Sequence, residues 1–517
     1  MTRNSLERRK VFLGRLASLS VIAFVVALAL LSAACNNVNL AGKGSGTVSL
    51  AIDEVLASEI RSAIPAHLRS TTEDNSTYTL TASIRGDYSD KKTESATSLS
   101  GVTFTFEGIP TGKNIILDVT VKVGDNTIWY GNSGKHMVDS GINKLSVEVG
   151  RVSGVLLWKP EQEGKQPHDV YIAPYGNYAS PFQTKFGIDT STSQGTRRPY
   201  CFDSNGNLYA VQSASPNSQI KKYDSQLDGT YVEGSAPVDS VSNPSDVSYL
   251  AYDNDSGKLY GLGAGTSLYN LNDDVNITNN TNFPQPLGLA IHNGIAYIAE
   301  VNEGNESGGI YVTLHQYNLT STAGDTSQKT EEIRLPEVFG TDVSALTGHM
   351  IYQDGALYLL LRRFEINDAS NASVDNPVEH YSLGALAKID PNTLTLDTSF
   401  GIGGYLGLSS SPVTFNDRKD SGKTFNVTYH GSAAENNTFF GPVGFVAVMP
   451  KKLVIGDAGF AMSADGADTV SLTKKSRVVT VDLETLAFET ESVEDSYYQS
   501  EYPSSITIGY SYIVITN

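Results

Sequence analysis

Pro286-Leu287-Gly288-Leu289-Ala290-Ile291-His292-Asn293-Gly294-Ile295-Ala296-Tyr297-Ile298-Ala299-Glu300 holds two apolar runs separated by Asn293-Gly294. Asn and Gly both accept the positive φ that a two-residue hairpin turn demands, and Ile and Tyr favour strands. The stretch predicts a β-hairpin. Three more segments share its plan: Tyr200-Cys201-Phe202 and Leu208-Tyr209-Ala210-Val211 around Asp203-Ser204-Asn205-Gly206-Asn207; Tyr249-Leu250-Ala251-Tyr252 and Leu259-Tyr260-Gly261-Leu262 around Asp253-Asn254-Asp255-Ser256-Gly257; and Met350-Ile351-Tyr352 and Leu357-Tyr358-Leu359-Leu360 around Asp354-Gly355.

A further strand follows each hairpin. Lys222-Tyr223-Asp224, Leu268-Tyr269-Asn270, Gln316-Tyr317-Asn318, Lys388-Ile389-Asp390 and Thr480-Val481-Asp482 end on Asp or Asn. After the last two, Pro391-Asn392-Thr393-Leu394 and Leu483-Glu484-Thr485-Leu486 complete Asp-headed turns into another strand. Two hairpins per repeat make a four-stranded propeller blade. The five Asp/Asn positions are 46, 48, 72 and 92 residues apart. The 72 implies a long loop, and the 92 an insertion or an extra blade near 402–440. The expected architecture is all-β: a small N-terminal β-sandwich over 46–152, then a β-propeller over 153–517 with six blades, alternatively seven. The tail, Ile506-Thr507-Ile508-Gly509-Tyr510-Ser511, is expected to close the ring against strands near residue 170.

Residues 286–300 resemble the NHL-type propeller repeat, with its Pro-x-Gly-hydrophobic-Ala opening, although Glu300 stands where the family has Asp. Leu396-Asp397-Thr398-Ser399-Phe400-Gly401 is similar to the closing phrase of a bacterial propeller-type repeat. The resemblance implies a binding or scaffold module for protein, peptide or glycan, with insertions near 300–335 and 360–440 as contact loops. A minority of such propellers are calcium-dependent lactonases, and that enzymatic alternative would draw on Glu300, Asp246 and Asn243.

Before the propeller the chain alternates with period two through Val48-x-Leu50-x-Ile52, Leu80-x-Ala82-x-Ile84, Phe104-x-Phe106, Ile115-x-Leu117-x-Val119-x-Val121, Ile128-x-Tyr130 and Leu145-x-Val147-x-Val149. Such runs, broken by Gly, Asn and Asp, predict an antiparallel sandwich. Gly108-Ile109-Pro110-Thr111-Gly112 reads as a turn between strands, Gly131-Asn132-Ser133-Gly134-Lys135 as a hairpin turn, and 54–69 as a short helix. With Phe106 and Leu117-x-Val119 flanking the Gly-Pro-Gly turn, the module resembles transthyretin-like and immunoglobulin-like domains.

The N-terminus supplies an address. Arg3, Arg8, Arg9, Lys10 and Arg15 precede an uncharged run over 16–31, then Ser32-Ala33-Ala34-Cys35. This is the basic, apolar and small-residue plan of an export signal, too short for a membrane span of about 20 residues. Leu31-Ser32-Ala33-Ala34-Cys35 resembles the bacterial lipobox in the looser form, with Leu four residues before the Cys, of spirochaetal lipoproteins. It implies cleavage after residue 34, acyl chains such as palmitate on Cys35, and a tether over 35–45. The expected location is the cell envelope, outside the cytoplasm.

The whole chain carries −19; the first 34 residues carry +4, so the remainder carries −23. That charge repels phosphate backbones, which argues against nucleic acid as a partner. Cys201, the second of two cysteines, reads as strand filler between Tyr200 and Phe202. His67, His136, His168, His292, His315, His349, His380 and His430 show no metal-ligand spacing, and His292 reads as a turn residue. Asp253-Asn254-Asp255-Ser256-Gly257 lacks the rest of a calcium loop, Gly401-Ile402-Gly403-Gly404 is no dinucleotide loop, and no G-x-S-x-G occurs. The sequence thus assigns no catalytic residue, metal or cofactor.

Overall fold

The computed structural model describes chiefly residues 44–52, 78–151, 200–237, 247–318, 329–366, 378–408, 413–418, 424–431, 436–457 and 472–492, apart from short breaks, plus the backbone of strands within 155–183, 460–464 and 498–511. The chain is all-β. It separates into two compact units, residues 1–152 with 449–451, and residues 153–448 with 452–517.

In the first unit one sheet runs in the order Val147–Arg151, Asn126–Met137, Asn114–Val123, Tyr78–Gly86, Asp90–Ala96, with the two residues Ala23–Phe24 paired at the outer edge of Val147–Arg151. The second sheet centres on Ser45–Ala51, antiparallel to Thr103–Pro110 and parallel to Gly141–Lys144. Strict alternation of buried and half-exposed residues along 78–85 follows from the strand period of two. Val48, Leu50, Leu80, Ile84, Phe104, Phe106, Leu117 and Val121 meet in one core. Full burial of such a side chain stabilises by about 1.5–3 kcal/mol. Leu99, Ile109 and Val138 also enter it, from segments with no alternation to betray them. Of the expected helix, Glu54 and Ala57 are described as helical, and Ala57 is buried in that core.

The stretch 131–135 is not a hairpin turn. It lies inside the strand Asn126–Met137, where the register slips opposite Ile116 and Asp118. Gly134 adopts φ 67°, and Ser133 Oγ accepts the Leu117 amide at 2.9 Å. Gly and Ser mark a bulge here because the strand continues beyond them to pair with Asn114 and Ile115. The 108–112 turn does form, with the strand running on to Pro110.

In the second unit five sheets follow one another, four strands apiece at their core. The blades begin at Tyr200–Phe202, Tyr249–Asp253, Pro286–His292, Leu346–Gln353 and Pro442–Met449. Each of the first four opens with the expected hairpin, and Asn293 (φ 51°), Gly294 (70°), Asp354 (48°) and Gly355 (80°) take the positive φ the turns demand. The opening strands of the first four blades lie side by side in succession, the arrangement of propeller blades about an axis. Gly288 permits a close approach: a Cβ there would sit 2.6 Å from that of Met350 on the next blade.

A three-stranded sheet, Val155–Lys159, Asp169–Ala173 and Phe182–Gln183, precedes these five. The expected closure by the tail is overturned: Ile506–Ser511 pairs with Phe460–Ala464 and Tyr498–Ser500 instead. Asp169–Ala173 is already matched residue for residue by Val155–Lys159 across a short connection, which closes at lower entropy than a pairing with the distant tail. The 92-residue spacing is an insertion. Val413–Arg418 and Thr424–Gly431 form a hairpin that joins the fourth blade, Thr424–Gly431 running parallel to Val378–Ile389. The 72-residue spacing includes the long strands Ala356–Ile366 and Val378–Ile389 as well as connecting loops.

Candidate functional site

Opening strands place aromatic rings toward one another. Tyr200 on the first blade meets His349 on the fourth edge-on, with centroids 6.4 Å apart, and His349 lies 5.4 Å from Phe445 on the fifth. The Phe445 amide donates to His349 Nδ1 at 3.1 Å, so that nitrogen is the unprotonated one. Tyr249 Oη on the second blade donates to the Pro286 carbonyl at 3.0 Å. The first, fourth and fifth blades thus share a packed aromatic centre, and Tyr249 ties the second blade to the third.

Around it, the face opposite the opening hairpin turns carries two buried arginines, each set on an aromatic ring. Asp457, at the end of Lys452–Asp457, is fully buried and faces Arg477, at the start of Arg477–Asp482, with Nε to Oδ2 at 2.9 Å. The same carboxylate accepts the amides of Phe440 (3.0 Å) and Gly441 (2.8 Å). Arg477 stacks over Phe440 at 3.7 Å and donates to the Thr438 carbonyl. Burial pushes the Asp457 carboxyl above its ordinary range, against the downward pull of Arg477 and the two amides.

Arg363 forms the second clasp. It is 3 % exposed, bonds Glu365 through Nε at 3.1 Å, donates to the Phe339 carbonyl, and lies 3.8 Å over the Tyr381 ring. Tyr381 stacks in turn on His430 of the inserted hairpin, with centroids 4.1 Å apart and nearly parallel. Gly340 (φ 67°) accommodates the guanidinium, which a Cβ there would strike. Tyr429 Oη donates to the Ser382 carbonyl at 3.4 Å, and Ser382 Oγ donates to that of Phe440, which joins the two clasps through the hairpin. Each arginine is neutralised by its own carboxylate and covered by a ring. The arrangement ties the backbone at Phe339 and at Thr438, Phe440 and Gly441 to the ends of the blade strands.

Glu300 is the one described member of the expected calcium set; Asn243 and Asp246 lie outside the described residues, as does Cys35. The Glu300 carboxylate is 3.5 Å from His315 Nε2, and the His315 ring packs against Phe283. It is turned to a histidine on the neighbouring strand. In the 253–257 turn, Asp253 accepts the Asp255 amide (3.2 Å) and the Ser256 hydroxyl (2.6 Å), as a hairpin turn requires. Asp203 likewise accepts from Asn207. His292 stacks on Tyr352 at 3.7 Å, and burial lowers its pKa against the opposing pull of Asp255 and Asp253. Cys201 sits on Tyr200–Phe202 against Tyr209 and Leu250, and burial raises its thiol. Among the described residues no group of three or more His, Cys, Asp or Glu is placed to hold a metal.

The arginine clasps were not foreseen. For one of them a signal, Arg362-Arg363 and Glu365 after the apolar run 356–361, is visible in the sequence but does not specify the ring or the loop it holds.

Residues 327–507, about a third of the chain, match the family described as the TdpA C-terminal domain, and this span contains both clasps and the inserted hairpin. No curated protein is significantly similar in sequence. Among solved structures, a glycoside hydrolase aligns at 11 % identity and TM-score 0.29, over 69 % of this chain and 93 % of that one. A quinoprotein alcohol dehydrogenase-like protein from Bacteroides thetaiotaomicron aligns at 14 % and 0.31, over 85 % and 91 %. A Lactobacillus plantarum protein aligns at 11 % and 0.26, over 69 % and 99 %. Similarity at this level transfers no activity, and the blades stand on this chain's own strand pairing.

Proposed function

We propose that the protein is an exported lipoprotein, held to a membrane by acyl chains on Cys35, whose blades form an NHL-like binding or scaffold module for a protein, peptide or glycan. The single observation that supports the binding role is the seating of the inserted hairpin, Val413–Arg418 and Thr424–Gly431, by strand pairing and by Tyr381 and Ser382. Long connections held in one geometry lose little entropy on binding. The anchor rests on the lipobox-like Leu31-Ser32-Ala33-Ala34-Cys35 and the basic and apolar segments before it. Cleavage after residue 34 removes Ala23–Phe24 and leaves Val147–Arg151 as the sheet edge.

Cys35→Ser is expected to move the protein from the membrane fraction to the soluble fraction of the exporting cell. A variant that stays membrane-bound contradicts the anchor. Calcium titration separates binding module from enzyme: the module is expected to show no saturable calcium stabilisation. A stoichiometric site that raises Tm would favour the lactonase alternative built on Glu300.

A further inference from the structure

The described chain enters the sandwich at one end. Ser45 pairs with Pro110, Gly46 with Ile109 and Gly141, and the Gly44 carbonyl accepts the Thr111 amide at 2.6 Å. At the same end the connection from Met137 to Asn143 is tied down. Val138 exchanges backbone bonds with Gly112 and Lys113, and buried Asn143 accepts the Asp139 amide (2.8 Å) and donates to its carbonyl (3.0 Å). This rigid knuckle displays Met137, 57 % exposed, and Ile142, 55 % exposed. They are two of the four large hydrophobics exposed among the described residues; the others, Val275 and Ile402, belong to the second unit.

We propose that this end of the sandwich is a foot that rests on the bilayer surface, with Met137 and Ile142 entering the headgroup–acyl boundary. The proposal depends on the Cys35 anchor. Nine residue steps separate Cys35 from Gly44, so a fully extended tether places this end within about 30 Å of the lipid. No other part of the sandwich is joined so directly to the acyl chains. Charge permits the approach: exposed Lys113 and Lys135 both act on Asp87, and with Asp139 they leave the end balanced, whereas residues 35–517 carry −23. A strongly negative surface would be repelled by anionic headgroups. Aliphatic side chains on a rigid base gain from the interface without the entropy of ordering a loop.

The test uses the full, processed lipoprotein in a Cys201→Ala background, with an environment-sensitive fluorophore on Met137→Cys, Ile142→Cys or Ser95→Cys. Ser95 pairs with Thr79 toward the opposite end of the sandwich. On reconstitution into vesicles of phosphatidylethanolamine and phosphatidylglycerol, the probes at 137 and 142 are expected to shift to the blue, brighten by about twofold or more and be quenched by shallow lipid quenchers, while that at 95 stays unchanged. Protein that floats with the vesicles while all three probes stay unchanged overturns the foot and leaves the anchor standing. Protein that does not float overturns both.

Discussion

Leu394 and Leu486 occupy the left-handed region, φ 58° each, where a residue with a Cβ is strained. Both sit fourth after an aspartate in matching turns. Asp390 Oδ1 accepts the Asn392 amide at 2.7 Å and Asp482 Oδ1 the Thr485 amide at 2.8 Å, while each leucine amide returns to its aspartate carbonyl. The Asn392 amide, the leading cause, holds the Asp390 carboxyl below the usual range. The leucine side chain compensates the strain, because Leu394 is fully buried among Ile389, Tyr405 and their neighbours. Leu394→Ala is expected to destabilise by about 2–5 kcal/mol. Leu394→Gly, which relieves the strain, is expected to be no worse, reversing the usual order of these two residues. Denaturant unfolding of both variants checks it, and a glycine variant clearly weaker than the alanine one contradicts it. The sequence showed the Asp-headed turns plainly. It did not show that leucine carries the left-handed position, since no local rule selects a bulky residue there.

At the scale of elements, the two arginine clasps fix the face opposite the hairpin turns. Arg477→Ala leaves the Asp457 carboxylate buried without its cation, expected to cost about 3–5 kcal/mol. Adding Asp457→Asn removes the stranded charge and keeps an acceptor for the Phe440 or Gly441 amide. The double variant is therefore expected to be more stable than Arg477→Ala, and thermal or denaturant unfolding of the pair decides it. The opening hairpins of the first four blades and the third strand of all five were legible because local turn chemistry and period-two alternation specify them. The parallel docking of Thr424–Gly431 on Val378–Ile389 was not: it joins strands far apart in sequence with no turn code between them, and only the unusual 92-residue spacing marked it. Gly131-Asn132-Ser133-Gly134-Lys135 misled for a related reason. Turn residues also make bulges, and the difference lies in whether the strand beyond finds a partner.

On the scale of the whole molecule, a sandwich unit and a bladed unit follow a basic and apolar segment in a chain otherwise strongly acidic. The all-β class and the succession of blades were readable from repeated hairpins. The ring closure drawn from the tail was not, because the hairpin inserted in the fifth blade offers Phe460–Ala464 as a nearer partner than Asp169–Ala173. For function the sequence offers chiefly a proposed address, resting on Cys35, one of only two cysteines, directly after Ser32-Ala33-Ala34. We propose that this body works outside the cytoplasm on a lipid tether. Intact-mass and N-terminal peptide analysis of protein purified from its native membrane tests it most directly. The expected chain begins at Cys35 and carries the added mass of a diacylglyceryl group on that residue. A chain that keeps residues 1–34, or one that begins at an unmodified Cys35, contradicts it.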